Sequence, residues 1–227
     1  MIGAFGCFVA LGGALLAGVV APILISFVLV LLAVALVAPE RVRRVSNRWP
    51  FRLFGNWGNG DLSDNLGAID YCAARGLFRR DRVVAWGGSA GGNSTFVCLT
   101  KASEIFAAGI AFYGLVDIYA FGLESHRYER YYVKSIMSPG SEQYALWHQR
   151  SPINFVDQIK ASLLILQGAA DPVVSQTQSA IIVKELARRH LDHEYMVYPG
   201  EGHGFRQVRH VVDPAERIDR FLRQKVL

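Results

Sequence analysis

The stretch AWGGSAGGNST (85–95) sets Ser89 among glycines, with Gly87 two residues before it and Gly91 two after. A serine hydroxyl is a poor nucleophile until a neighbouring base takes its proton. Two candidates to complete such a system lie far along the chain: Asp171 in QGAADPVV (167–174) and His203 in PGEGHGF (199–205). An imidazole accepts the serine proton, and a carboxylate behind it holds the imidazole tautomer and stabilises its charged form. Each signal has an ordinary reading alone, as a turn, a loop aspartate and a surface histidine. The chemistry needs all three, so the surrounding elements must bring positions 89, 171 and 203 to one place.

The pattern around them alternates between two periods. RVVAWG (82–87), AAGIAFYG (107–114), SLLILQG (162–168) and HEYMVYP (193–199) read as short buried strands. Helices are expected over 63–75, with Leu66, Ile69 and Cys72 on one face and Gly76 as the stop, and over 92–102 and 175–190. The third opens with Ser175-x-x-Gln178, a capping box. A closing helix is expected to begin at Asp213-Pro214-Ala215-Glu216, an N-cap followed by a first-turn proline. Strands separated by helices imply an α/β fold, a parallel sheet with helices on both faces.

In such a sheet functional groups collect beyond the carboxyl ends of the strands. Ser89, Asp171 and His203 follow the first, third and fourth strands, and their order is that of the α/β-hydrolase triad. A nucleophile on a strand-to-helix turn takes strained backbone angles in a crowded space, which Gly87 and Gly91 relieve by lacking side chains. The Ala90 N–H, at the head of the following helix, is then aimed at a developing oxyanion. Asp117 competes for the acid role but follows an earlier strand. His126, His148, His190, His193 and His210 have no paired-ligand spacing and read as surface or structural residues. No metal site and no cofactor are expected.

The 227-residue chain is 52% hydrophobic, and the excess is local: Met1–Ala38 contains no charged residue. As one helix it would be about 57 Å long, against about 30 Å of bilayer hydrocarbon. Pro22 divides it, so a kinked span and a helical hairpin both fit a membrane anchor over 1–38. A signal peptide fits less well, because the run is too long and lacks a basic leader. Arg41, Arg43, Arg44 and Arg48 follow in a basic, Gly/Asn-rich linker (39–62), which favours a cytoplasmic catalytic part at 63–227 and contact with anionic lipid. The net charge of +5 is scattered, with no stripe interleaved with aromatics, so nucleic acid is not an expected partner. Cys7, Cys72 and Cys98 carry no disulfide or metal pattern.

The motifs RVVAWGGSAGG, YGLVDI, RSPINFVDQIKASLLILQGAADPVV and YPGEGHGF, in this order over about 55–227, resemble the C-terminal part of the prolyl oligopeptidase family of serine peptidases, especially its dipeptidyl-peptidase and acylaminoacyl-peptidase branches. The resemblance implies Ser89 as nucleophile, Asp171 as orienting acid and His203 as general base. It also implies that the stretch after Phe112, with Tyr113 and Val116, lines the substrate pocket. Against that pattern the first half of the hydrolase sheet is missing, and with it the tyrosine that supplies a second oxyanion donor. Asn56, Trp57 and Asn59 are the nearest replacements. The sheet edge so exposed invites pairing with a second copy. The expected function is a serine peptidase acting on short peptides through an acyl-enzyme. An esterase with the same triad, and a catalytically impaired membrane-anchored fragment or interaction protein, are the alternatives.

Overall fold

The computed structural model describes residues 8–11, 54–124, 133–134, 136–137 and 143–227. Its centre is a sheet in the order β1-β2-β3-β4-β5, formed by β1 (Phe8–Leu11), β2 (Val83–Gly88), β3 (Ala108–Phe112), β4 (Ser162–Gly168) and β5 (His193–Tyr198). β2 to β5 run parallel, with Val84 opposite Ala108, Ile110 opposite Leu164 and Leu166 opposite Met196. The four parallel strands are the four that the alternating pattern predicts, each within two residues at either end.

Helices flank both faces because both faces are apolar. α1 (Gly60–Ala73), α2 (Ala90–Lys101) and α5 (Gln176–Arg188) lie on one side. There Ile69, Phe96, Leu99, Ile182 and Leu186 pack with Val83, Ala85, Leu163 and Ile165. α6 (Val208–Lys225) covers the other, where Ile218, Phe221 and Leu222 meet Val84, Ile110, Leu164 and Leu166. Successive residues of β2 and β4 thus enter opposite cores, as period-2 geometry requires. α3 (Ile118–Glu124) and α4 (Gln143–Arg150) build a smaller cluster around Phe121 and Trp147, which includes Trp57.

Three expectations are corrected. The closing helix begins at Val208, so Pro214 lies inside it and is no N-terminal proline. Asp213 does not cap: its carboxylate accepts from Tyr198 Oη and Arg217 Nε, both at 2.6 Å, tying α6 to β5. In the supposed capping box Ser175 does accept from Thr177 N–H, but Gln178 turns away and accepts the N–H groups of Val116 and Asp117, each at 2.9 Å. Lastly, the β2 edge is not bare. β1 pairs antiparallel with it, Phe8 opposite Trp86 and Leu11 opposite Val83, which occupies the edge that a second copy would use and takes 8–11 out of the expected apolar helix. The rest of the expected anchor and the linker up to residue 53 lie outside the described residues. Among the described residues no helix is long and apolar enough to cross a membrane.

Candidate active site

β2 ends at Gly88 and α2 begins at Ala90, so Ser89 alone carries the chain from strand to helix, with φ 57° and ψ −119°. A left-handed φ of this kind costs a non-glycine residue of order 1–3 kcal/mol and persists only where neighbours over-determine it. Here the Ser89 N–H donates to Phe112 O and the Ser89 carbonyl accepts from Asn93 N–H, both at 3.0 Å. Strand and helix nearly touch behind the turn. A Cβ on Gly87 would stand 2.3 Å from the carbonyl carbon and oxygen of Gly91, so no side chain fits between them.

Asp171 follows β4 and is fixed by its own turn, one carboxylate oxygen accepting from Val173 N–H at 2.8 Å and Val174 N–H at 2.9 Å. The other oxygen is left for His203, whose Nδ1 lies 2.9 Å away. A carboxylate can only accept, so Nδ1 carries the proton and Nε2 of the neutral ring is the acceptor. Nε2 lies 2.8 Å from Ser89 Oγ. The Asp171 side chain is fully buried and that of His203 is 24% exposed, so the hydrogen-bonded line opens toward solvent at its serine and histidine end. Three residues separated by as many as 114 positions in sequence therefore meet at the carboxyl ends of three strands.

The loop bearing His203 is pressed onto the end of β4. A Cβ on Gly168 would lie 2.4 Å from Gly202 O and 2.6 Å from Glu201 O, and Ala170 N–H donates to Glu201 O at 2.8 Å. Tyr113, at the end of β3, packs its ring 4.7 Å from that of His203 and 5.7 Å from that of Phe205, centre to centre. Its own φ is 36°, a second left-handed residue at the site. Burial, with the Asp171 charge in support, pushes its phenol above the usual tyrosine value and keeps it neutral. Val116 does not face the cleft: it is fully buried in the main core, so of the two pocket residues only Tyr113 adjoins the relay. Asp117 is a helix cap, its Oδ1 accepting from Ala120 N–H at 3.0 Å.

Ala90 N–H belongs to the first turn of α2, whose N–H groups have no intrahelical partner and carry the positive end of the helix dipole. Of the proposed replacement donors, Trp57 N–H is spent on Ile136 O and Asn59 N–H on Asn56 O. Their segment is nevertheless well held: Arg150 donates to Trp57 O at 2.8 Å and Gly55 O at 2.9 Å, and Asp61 accepts from both Gly58 N–H and Ser94 Oγ. Among the described residues no group of three or more His, Cys, Asp or Glu side chains is placed to hold a metal ion.

Sequence reasoning missed Glu201. It is buried, and its carboxylate gathers the N–H groups of Arg206 and Gln207 at 2.9 Å each and His210 Nδ1 at 2.8 Å. The only signal was an acidic residue inside PGEGHGF, and its partners are set by loop geometry rather than by spacing. His210, read as surface or structural, is structural. His148, His190 and His193 stand apart from the site, and His126 lies outside the described residues.

The chain has relatives among known proteins. Residues 33–227 match the sequence model of the prolyl oligopeptidase family, which extends upstream of the motif-bearing part. The chain is 31% identical over 176 residues to dipeptidyl peptidase family member 6 of Caenorhabditis elegans, covering 75% of this chain and 24% of that protein. It is 33% identical over 162 residues to dipeptidyl aminopeptidase BIII of Pseudoxanthomonas mexicana, covering 67% and 24%. Among solved structures, a Mycobacterium tuberculosis puromycin-hydrolyzing peptidase aligns with a TM-score of 0.75 and 31% identity, over 77% of this chain and 26% of that one. An acylaminoacyl peptidase of Pyrococcus horikoshii aligns with a TM-score of 0.69 at 21% identity over 77% and 29%, a likeness of fold. The chain spans about a quarter of the length of the curated relatives it matches.

Proposed function

The chain belongs to the prolyl oligopeptidase family of serine peptidases, and on that premise we propose that it cleaves short peptides through an acyl-enzyme formed on Ser89. The observation that carries this reading is the continuous hydrogen-bonded line from Asp171 through His203 to Ser89, at 2.9 and 2.8 Å. His203 Nε2 takes the hydroxyl proton as Ser89 Oγ attacks the scissile carbonyl. The imidazolium so formed is stabilised by Asp171 and gives its proton to the departing amine. Ala90 N–H donates to the tetrahedral oxyanion, with the α2 dipole behind it. Water, deprotonated by the same histidine, then releases the acyl group and restores the serine. Tyr113 forms the wall beside His203 against which the substrate lies.

Support for peptides rather than esters comes from relatives named as dipeptidyl peptidases, aminopeptidases and acylamino-acid-releasing enzymes. The test is turnover of aminoacyl and dipeptidyl amides beside p-nitrophenyl esters, with Ser89→Ala as the blank. Amide turnover that vanishes in Ser89→Ala supports the peptidase. Ester turnover without amide turnover favours the esterase, and neither on folded protein rejects both.

Attachment to a membrane is part of the proposal. With 8–11 committed to the sheet, the uncharged run 12–38 still reaches about 40 Å as a helix, longer than the hydrocarbon core of about 30 Å. The arginines at 41, 43, 44 and 48 favour a cytoplasmic site. Extraction of the expressed chain with alkaline carbonate tests this, since a spanning segment keeps it in the membrane pellet.

A further inference from the structure

His203 sits between Gly202 and Gly204, the latter at φ 98°, so its own neighbours give its backbone little stiffness. Outside the relay, the ring packs against that of Tyr113. A bridge between Gly202 and Gly204 tightens the turn locally, and further holds on the loop come from beyond the glycines.

Glu201 closes it. The three donors to its carboxylate, Arg206 N–H, Gln207 N–H and His210 Nδ1, all come from after His203, so the chain between 201 and 206 is a ring with the histidine at its apex. The main chain of the same residue faces the other way. Its carbonyl accepts from Ala170 N–H, the residue before Asp171, and its N–H donates to Tyr198 O at the end of β5. The latch is anchored in turn. The His210 ring packs 5.2 Å from that of Tyr198, and Tyr198 Oη donates to Asp213 of α6, which Arg217 holds in turn. Burial alone would raise the Glu201 carboxyl, but the donors from Arg206, Gln207 and His210 outweigh it and hold the group below its ordinary value, ionised and accepting.

We propose that Glu201 is a positioning residue for the peptidase reaction: its carboxylate closes the loop that carries His203 onto the head of α6, so that the main-chain carbonyl of the same residue docks on the loop that carries Asp171, and together these set the orientation of the general base. The Glu201 carboxylate satisfies its charge within the segment that carries His203, while its main-chain carbonyl ties that segment to the residue before Asp171. Its partner His210, seven residues beyond His203, completes the latch from α6.

This inference rests on the reading of Ser89 as nucleophile, and the experiment separates the two. The full chain is compared with Glu201→Gln and Glu201→Ala for the rate of labelling by a fluorophosphonate, for kcat and KM on a peptide amide, and for the low-field proton resonance of His203 Nδ1–H. Glutamine keeps the shape but presents an NH2 where backbone N–H groups already point. The labelling rate and kcat are expected to fall about 10- to 100-fold, the scale of a displacement of up to 1 Å at the reacting groups. KM stays near wild type, and the resonance shifts or broadens at temperatures where circular dichroism shows the variant folded. A folded Glu201→Gln with wild-type rate and resonance overturns the proposal, and this variant decides alone where Glu201→Ala does not fold. Wild-type protein that resists labelling sinks the serine instead. Glu201 is then judged on the His203 resonance, which must still move in Glu201→Gln.

Discussion

Replacing Gly87 by alanine perturbs the nucleophile without touching any group of the relay. The new methyl would lie 2.3 Å from the Gly91 carbonyl, about 1.1 Å short of the 3.4 Å at which ordinary contact begins. The obstructing atoms are backbone in the first turn of α2, so no side chain can swing aside. Either β2 and α2 separate by about 1 Å or the Ser89 turn, already at φ 57°, opens. A misplacement of 1 Å at reacting atoms costs about 100-fold in rate, equivalent to about 2.7 kcal/mol of barrier. Overpacking adds about 1–3 kcal/mol of lost stability. The assay pairs kcat/KM on a peptide amide with the urea midpoint, corrected to the folded fraction. Wild-type kcat/KM per folded molecule would refute the claim that this glycine keeps Ser89 in position, even where the midpoint drops.

Other substitutions probe separate parts. Asn at 171 keeps the Oδ1 acceptor for Val173 and Val174, so its NH2 faces His203 Nδ1 and selects the wrong tautomer. Asp171→Asn is expected to lower kcat about 10⁴-fold, with circular dichroism unchanged. Gly67 lies inside α1, and a methyl placed on it would have no neighbouring atom within 4 Å, so Gly67→Ala is expected to raise the urea-derived stability by about 0.5–1 kcal/mol and leave kcat alone. The Glu201 carboxyl titrates lower in the folded than in the unfolded chain. Its stabilisation is thus complete above the ordinary glutamate value of about 4.3 and lost as pH falls through the lower folded value. Urea midpoints of Glu201→Gln should accordingly fall less steeply in that acid range than those of wild type.

The strands were legible from local signals, and the meeting of Ser89, Asp171 and His203 from the order in which the three follow strand ends. Apolar runs such as SLLILQG have few alternatives, and a glycine-flanked serine at a strand end satisfies a steric demand that the chain must meet within a few residues. What stayed hidden depends on contacts made only after folding. The Asp213-Pro214 pair imitates the start of a helix, whereas the real entry to α6 is closed by Glu201 from the preceding loop. Gln178 has the spacing of a capping residue but finds better acceptor work on the β3 loop. Val116 follows a strand end in sequence yet turns into the core, and β1 pairs with β2 across more than seventy residues. The turn that carries Ser89 could be placed from its neighbours in sequence, while the contacts of Glu201 around the His203 loop could not.

The central claim is that Ser89 is an activated nucleophile, and the most direct measurement is intact-mass analysis after exposure of the folded protein to a fluorophosphonate. The account predicts one phosphonyl adduct, mapped to Ser89 by peptide sequencing, absent from Ser89→Ala and formed far more slowly in His203→Ala. Folded wild-type protein that takes up no adduct, or takes it up at another residue, would contradict it.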